Sequence, residues 1–322
     1  MGREVAALAL RRLLHAVPLL AVVSLAGFAI VQLMPGGPLE IYLSNPNVRP
    51  EDIERLRRSL GLDQPWPEQY ARWLAGLVRG EWGYSFSDGR PVVERFAERL
   101  PATLELVLCS VLMAAAAALP AGVLSAWHRG GWLDRIVGGL AMAGVSLPVF
   151  WCGLVLQMVF AIGLGWLPSA GRSSLGGGDL LDRAQHLVLP ASVLAFVQAA
   201  AWSRYLRSSM VGVLGEPYIA AGRARGVPAR RLVWRHALRN AAMPALTVLL
   251  LDAAMLVSGA VVTESVFAWP GIGSLFTEAL ARRDYPVLMA FLMLTSAAVV
   301  ALNFVADVCA VAVDPRTARP RA

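Results

Sequence analysis

The chain has 322 residues, 57% of them hydrophobic and only 16% charged, well below the roughly 25% charged content of soluble domains. A soluble fold of this length could not hide several apolar runs that are each long enough to cross a bilayer. All 29 basic residues are arginine, which excludes a phosphate-binding loop of the G-x-x-x-x-G-K-S/T kind, because its lysine reaches the nucleotide phosphates.

Six runs approach the roughly 20 residues that a helix needs to span hydrocarbon: 13–34, 106–127, 136–164, 187–203, 241–262 and 287–313. They predict an all-α membrane protein with about six transmembrane helices. Arg11 and Arg12 precede the first run, as in a signal peptide. The run is longer than a signal core, however, and Met34-Pro35-Gly36-Gly37-Pro38 follows it instead of a small-residue cleavage site. It reads as a retained first span.

Residues 35–105 form an external, partly helical segment. Pro50 opens a short helix through Leu60, with Glu51, Asp52 and Glu54 in its first turn and Gly61 at its end. A second helix is expected over 67–78, with Tyr70, Leu74 and Leu77 on one face and Gly80 as its stop. A third, from Val92 to Leu100, leads to Pro101 and the second span. With Trp66, Trp73 and Trp82 as anchors, this is expected to be a folded cap or docking surface, not a passive loop. Pro18, Pro120, Pro148, Pro190 and Pro244 lie within the spans, where neighbouring helices can satisfy the freed backbone groups.

The cysteines Cys109, Cys152 and Cys309 all lie in apolar runs, and His15, His128, His186 and His236 lie in four different segments. Neither a disulfide framework nor a metal-ligand spacing results, and no cofactor is expected on this chain. Charge is asymmetric. With the N-terminus placed in the cytoplasm, that side holds sixteen arginines against four acids, and the opposite loops hold thirteen against fourteen. This positive-inside pattern places both termini in the cytoplasm.

The segment 204–240, between the fourth and fifth runs, is far longer than a connection requires. Eight arginines and one acid, Glu216, lie in it. Glu216-Pro217-Tyr218 starts a helix, Gly226-Val227-Pro228 breaks it, and Ala229 to Asn240 forms a second that continues toward Pro244. An inert basic loop has the same composition. A DNA-reading helix-turn-helix has the same outline, but close tethering between two spans leaves it little reach, so nucleic acid is not an expected partner. The third reading is a coupling element presented to a cytoplasmic partner.

Tyr218-Ile219-Ala220-Ala221-Gly222-Arg223-Ala224-Arg225-Gly226, followed by His236-Ala237-Leu238-Arg239-Asn240-Ala241-Ala242-Met243-Pro244, resembles the coupling loop of ABC-importer permeases of the peptide and nickel group. Further matches run along the chain: Gly61-Leu62-Asp63-Gln64-Pro65, Gly83-Tyr84-Ser85-Phe86 and Leu100-Pro101-Ala102-Thr103-Leu104-Glu105-Leu106. Later come Glu264-Ser265-Val266-Phe267-Ala268-Trp269-Pro270-Gly271-Ile272-Gly273, Arg283-Asp284-Tyr285-Pro286-Val287 and the closing Asp314-Pro315-Arg316. The resemblance implies the type I permease fold, divided as 1–34 (N-terminus and first span), 35–105 (external segment) and 106–322 (core). It implies a place in the bacterial inner membrane. The partners implied are a second permease, two cytoplasmic ATPase subunits that bind ATP and Mg, an external binding protein and membrane lipid. Tyr218, Ala220, Ala221, Gly222, Arg223, Gly226, His236, Arg239 and Asn240 are then the coupling residues, and no side chain is catalytic. The family usually has a basic residue, a threonine and an alanine where Ala220, Ala221 and Gly222 stand. Glycine inside a helix costs about 1 kcal/mol relative to alanine, so a softer docking helix is expected.

Asp252 lies near the middle of the fifth run and Glu264 at its external end. An aspartate at that depth costs roughly 2.5–3.5 kcal/mol on insertion and must face the bundle interior or water. Asp252 is a translocation-path candidate or a hydrogen-bond partner of a neighbouring helix; Glu264 is a gate or a loop anchor; Asp307 suits structural pairing. An intramembrane enzyme using Ser146 and His186 is the alternative reading, and a stand-alone channel or secondary transporter is another; a requirement for an ATPase partner separates the importer from both. The resemblance implies half of the translocation pathway of an ATP-driven importer and favours di- or oligopeptides as its substrates, with nickel or its chelates and other small solutes as the alternatives.

Overall fold

The structure is a computed structural model that describes residues 2–33, 49–59, 61–174 and 176–313. The Met34-Pro35-Gly36-Gly37-Pro38 motif, Leu60 and the Asp314-Pro315-Arg316 terminus lie outside the described residues. In chain order the helices are α1 (Gly2–Leu33), α2 (Pro50–Ser59), α3 (Trp66–Arg79), α4 (Val92–Trp127), α5 (Trp132–Ser146) and α6 (Val149–Leu156, continued as a π-helical stretch Gln157–Gly163). Then follow α7 (Leu180–Leu214), α8 (Pro217–Ala224), α9 (Ala229–Arg231, continued by a π-helical stretch Leu232–Ala237), α10 (Leu238–Val266), α11 (Ile272–Ala281) and α12 (Tyr285–Val313). Among the described residues, α1, α4, α7 and α12 are each long and apolar enough to cross a membrane, and α5 with α6 makes a further candidate as a bent pair. Helix α10, 29 residues long, carries the remaining apolar run.

Three boundaries differ from the sequence expectation. The run 136–164 is not one straight span but two helices bent by 107°. Leu147 is extended, with ψ 134°, because Pro148 disfavours helical geometry in the residue before it. Helix α4 runs unbroken for 36 residues through Pro101 and Pro120, so the expected stop near Leu100 is absent. The indole of Trp269 donates to the Ala102 carbonyl at 2.8 Å just past Pro101 and ties the α10–α11 loop to this turn of α4. Helix α7 extends to Leu214, so the expected cytoplasmic loop begins as a continuation of the fourth span.

Helices α4 and α7 form the most extensive helix pair. Ser110, Ala114, Ala118 and Gly122 recur every fourth residue on α4 and are all buried. A Cβ on Gly122 would lie 2.9 Å from Leu206 Cβ and 3.0 Å from the Ser203 carbonyl, so glycine sets the closeness of this crossing. Large apolar side chains of α4 that point away, such as Leu104, Leu108 and Leu112, are exposed as a lipid-facing stripe requires. Helix α1 packs on α12 through Gly27, whose missing side chain is replaced by Leu292. Arg12 of α1 forms an ion pair with Asp307 of α12, the structural pairing expected for that acid.

Candidate functional site

The loop between α7 and α10 folds as a two-helix knob. Pro217 opens α8 at a first-turn position, where its missing N–H costs nothing. Gly226 ends the turn at φ +77°, with its N–H donated to the Arg223 carbonyl at 2.9 Å and that of Val227 to the Gly222 carbonyl at 3.1 Å. The second helix begins at Ala229 and runs without interruption into the fifth span, as the sequence pattern predicts.

The knob has an inner and an outer face. Ile219, Leu232, Val233 and Ala237 are buried against Val123 and Ala126 at the end of α4 and Leu206 and Met210 at the end of α7. Burying such a set at about 25 cal/mol per Å² holds the knob rigidly on two spans. Gly222 belongs to this inner face. An added Cβ there would come within 2.7 Å of Leu232 Cδ2, so the leucine methyl occupies the space an alanine would take. The softer helix expected from Gly222 is thereby offset by contact with Leu232. The outer face carries Tyr218, Ala220, Arg225 and Gly226, all exposed, with Ala221 half-buried.

Other site residues from the sequence fall around this face. Asn240 Nδ2 donates to the Tyr218 hydroxyl at 2.7 Å and to the His236 carbonyl at 3.2 Å, tying the start of α10 to the first turn of α8. His236 and Arg239 are exposed. Arg223 is exposed too, but its guanidinium lies 5.9 Å over the Trp127 ring at the end of α4. Beneath the knob, Arg207 grips Asp134 with both ends of its fork, Nε to Oδ1 at 2.6 Å and Nη2 to Oδ2 at 2.7 Å. Ser125 Oγ and the Gly130 N–H add bonds of 2.5 and 2.9 Å to the same carboxylate. This clasp joins the α4–α5 turn to α7.

The two path candidates occupy different environments. Asp252 is half-buried and accepts a hydrogen bond from Trp202 Nε1 at 3.1 Å. Glu264 is fully buried and acts as an internal cap. It accepts from Thr103 Oγ1 at 2.6 Å and from the N–H groups of Gly273 and Ser274 at 2.7 and 3.0 Å, the first turn of α11. Thr103 in turn accepts from the Ile272 N–H at 2.9 Å. A Cβ on Gly271 would collide with the Glu264 carboxylate, so glycine is required there for the backbone to approach. Of the two roles expected for Glu264, this geometry is that of the loop anchor.

A second buried acid carries no role in the sequence reading beyond its place in a family motif. Asp284, with no exposed side-chain surface, accepts from Ser85 Oγ at 2.5 Å, Ser87 Oγ at 3.0 Å, and the Phe86 and Ser87 N–H groups at 3.1 and 3.3 Å. Arg95 Nη1 lies 3.5 Å away. The segment between the first two spans is thus latched onto the loop between α11 and α12. Nearby, Arg95 also pairs with Asp88 at 3.5 Å. Burial opposes ionisation of Asp88, but the Arg90 N–H, the Ser85 hydroxyl and the Arg95 charge outweigh it and hold the carboxyl below its ordinary value. Glu105 meets Arg172 at 2.5 Å across the outer edge of the bundle. His186 Nδ1 lies 2.8 Å from the Asp182 carbonyl. Among the described residues no group of three metal-ligating side chains converges.

A helical bundle with a two-helix knob packed beneath two of its spans, and with the segment after the first span latched to the loop before the last, is the architecture of a polytopic transport subunit. Residues 118–319 match the family described as binding-protein-dependent transport system inner membrane component, and residues 6–107 match its N-terminal companion. The chain belongs to this family. It is an ABC-importer permease, the non-catalytic transmembrane subunit. Among curated proteins it is 38% identical to the oligopeptide transport system permease protein AppB of Bacillus subtilis, over 97% of this chain and 99% of that one. It is also 38% identical to the di/tripeptide transport system permease protein DppB of Pseudomonas aeruginosa, over 97% and 98% of the two chains. It is 37% identical to the glutathione transport system permease protein GsiC of Escherichia coli, over 95% and 97%. Two inward-facing structures of the MetNI methionine ABC transporter superpose with TM-scores of 0.56 and 0.59, covering 69% of this chain and 98% of that chain at 19% identity, which establishes the shared fold.

Proposed function

We propose that this permease forms half of the transmembrane pathway of an ATP-driven importer of short peptides in a bacterial cytoplasmic membrane. The other half is a second permease of the same family; two cytoplasmic ATPase subunits drive it and an external binding protein delivers the substrate. The observation that carries the reading is the knob at 204–240, rigid beneath and exposed above. ATP-driven closure of the ATPase pair moves the docked knobs, and the spans joined to them switch between outward- and inward-open states. Tyr218, Ala220, Ala221 and Gly226, with the exposed His236 and Arg239 beside them, form the docking face, and Gly222 and Asn240 hold its shape. The arginine excess on the knob side supports cytoplasmic termini.

The peptide assignment is supported by the substrates named for the full-length relatives AppB, DppB and GsiC. Asp252, half-buried in the fifth span, suits a peptide amino group in the pathway. A pull-down of the tagged chain from its native membranes tests the assembly. Recovery of a lysine-containing P-loop ATPase and a second six-span permease supports the importer; isolation of the chain alone overturns it. Uptake of labelled di- and tripeptides by the reconstituted complex then tests the substrate, and transport of a nickel chelate in place of peptides overturns that part.

A further inference from the structure

A groove of about 440 Å³ opens between the last turns of α4 and α7 and the side of α8. Ala126, Val211 and Leu214 provide apolar walls, and Trp127, Arg129 and Arg223 provide the polar rim. Trp127 holds the Arg223 guanidinium 5.9 Å over its ring, turned back toward the spans and away from the outer face of the knob. Among the described residues neither Arg129 nor Arg223 pairs with a carboxylate. Asp134, four residues beyond Gly130, is already held by Arg207, Ser125 and the Gly130 N–H. Two cations therefore flank one concave site without a counter-charge.

We infer that this groove binds the phosphate headgroup of an anionic phospholipid of the inner leaflet. Basic pockets between the cytoplasmic ends of spanning helices suit such headgroups, and a planar guanidinium fits phosphate by two parallel hydrogen bonds. A lipid, not a soluble anion, fits the rest of the site. The walls are apolar, Trp127 is of the type that sits at membrane interfaces, and Leu124, one turn earlier on α4, is 39% exposed where an acyl chain would run. A carboxylate of the ATPase is the competing occupant, but Arg223 faces the spans and not the docking face. Because Arg223 lies on α8 itself and Arg129 on the turn after α4, a bound headgroup would tie the knob to the span and stiffen the element on which coupling depends.

The inference rests on the cytoplasmic placement of the loop. The test takes the intact transport complex from nanodiscs of equal phosphatidylglycerol and phosphatidylcholine and measures the phosphatidylglycerol retained through detergent purification. Arg129→Gln is expected to lower retention roughly fivefold, the weight of about one arginine at an anionic surface; Arg129→Lys is expected to keep most of it, and inorganic phosphate is expected not to displace the lipid. Equal retention in wild type and Arg129→Gln overturns the site. So does displacement by free phosphate, or loss of the ATPase subunits from Arg129→Gln with lipid retained, which assigns the groove to the ATPase. Retention in detergent is independent of leaflet, and protease access to the loop in sealed right-side-out vesicles reads the orientation separately.

Discussion

Ser85 and Asp284, 199 positions apart in the chain, meet at 2.5 Å in a site with no water-exposed carboxylate surface. Through this contact the segment that follows the first span is fastened to the loop that precedes the last one. The latch concentrates five donors on one carboxylate, so the segment 83–91 is held by a charge that cannot be solvated if its partners leave.

Asp284→Ala is expected to release that segment. Removing one side of a buried charged network costs roughly 3–5 kcal/mol. Chymotryptic cleavage after Phe86 in the purified protein should accelerate strongly, with Asp284→Asn intermediate. An unchanged cleavage rate would contradict the latch.

The Asp88–Arg95 contact adds a pH dependence to the same segment. The folded carboxyl lies below its unfolded value. Its stabilisation is therefore full above the unfolded value, about 3.9, and fades as pH falls through the folded one. Hydrogen exchange over 83–91 should rise below about pH 4. In Asp88→Asn, the part of this rise that is due to Asp88 should disappear.

Glu264 should behave as a structural clasp. Glu264→Ala strands the Gly273 and Ser274 N–H groups and the Thr103 hydroxyl, and is expected to lower stability by roughly 3 kcal/mol or more. Gly271→Ala should act similarly, through collision with the carboxylate. Thermal unfolding of the detergent-solubilised complex reads both; normal stability with lost transport would instead make Glu264 a gate.

In the knob, Gly226→Val forces a β-branched residue to φ +77°, at about 1–3 kcal/mol of strain. Peptide uptake should fall severely while membrane insertion stays normal. Gly222→Ala should cost less, because only the Leu232 tip must move. Combined with Leu232→Val it should regain most of the loss, giving a coupling energy of roughly 0.5–3 kcal/mol in a double-mutant cycle. Additive effects would mean that the two residues do not share one space.

Much of this architecture was legible locally. The helices α2 and α3 start and stop within a residue or two of the Pro50, Pro67, Gly61 and Gly80 signals, and the break at Gly226 falls where the sequence places it. The bend at Leu147-Pro148 was half legible: proline marks a break, but its 107° angle depends on what α6 packs against. There Gly153 brings the helix to 3.1 Å from Val266 Cγ1, measured from an added Cβ. The burial of Glu264 and Asp284 was not legible, since both are acids beside loops and the side chains that cover them, Thr103 and Ser85, lie 161 and 199 positions away.

By itself the sequence determined the membrane class, the apolar runs, the charge asymmetry and the helix–break–helix loop. Hydropathy, capping and backbone restriction act over a few residues, and a few residues suffice to read them. Only the tertiary structure decided which acids are buried, why Gly222 is accommodated, where Arg223 points and how the external segment is held. Each of these depends on a neighbour brought in from a distant part of the chain, and the free energy of a buried charge or a close packing is set by that neighbour and not by the residue alone.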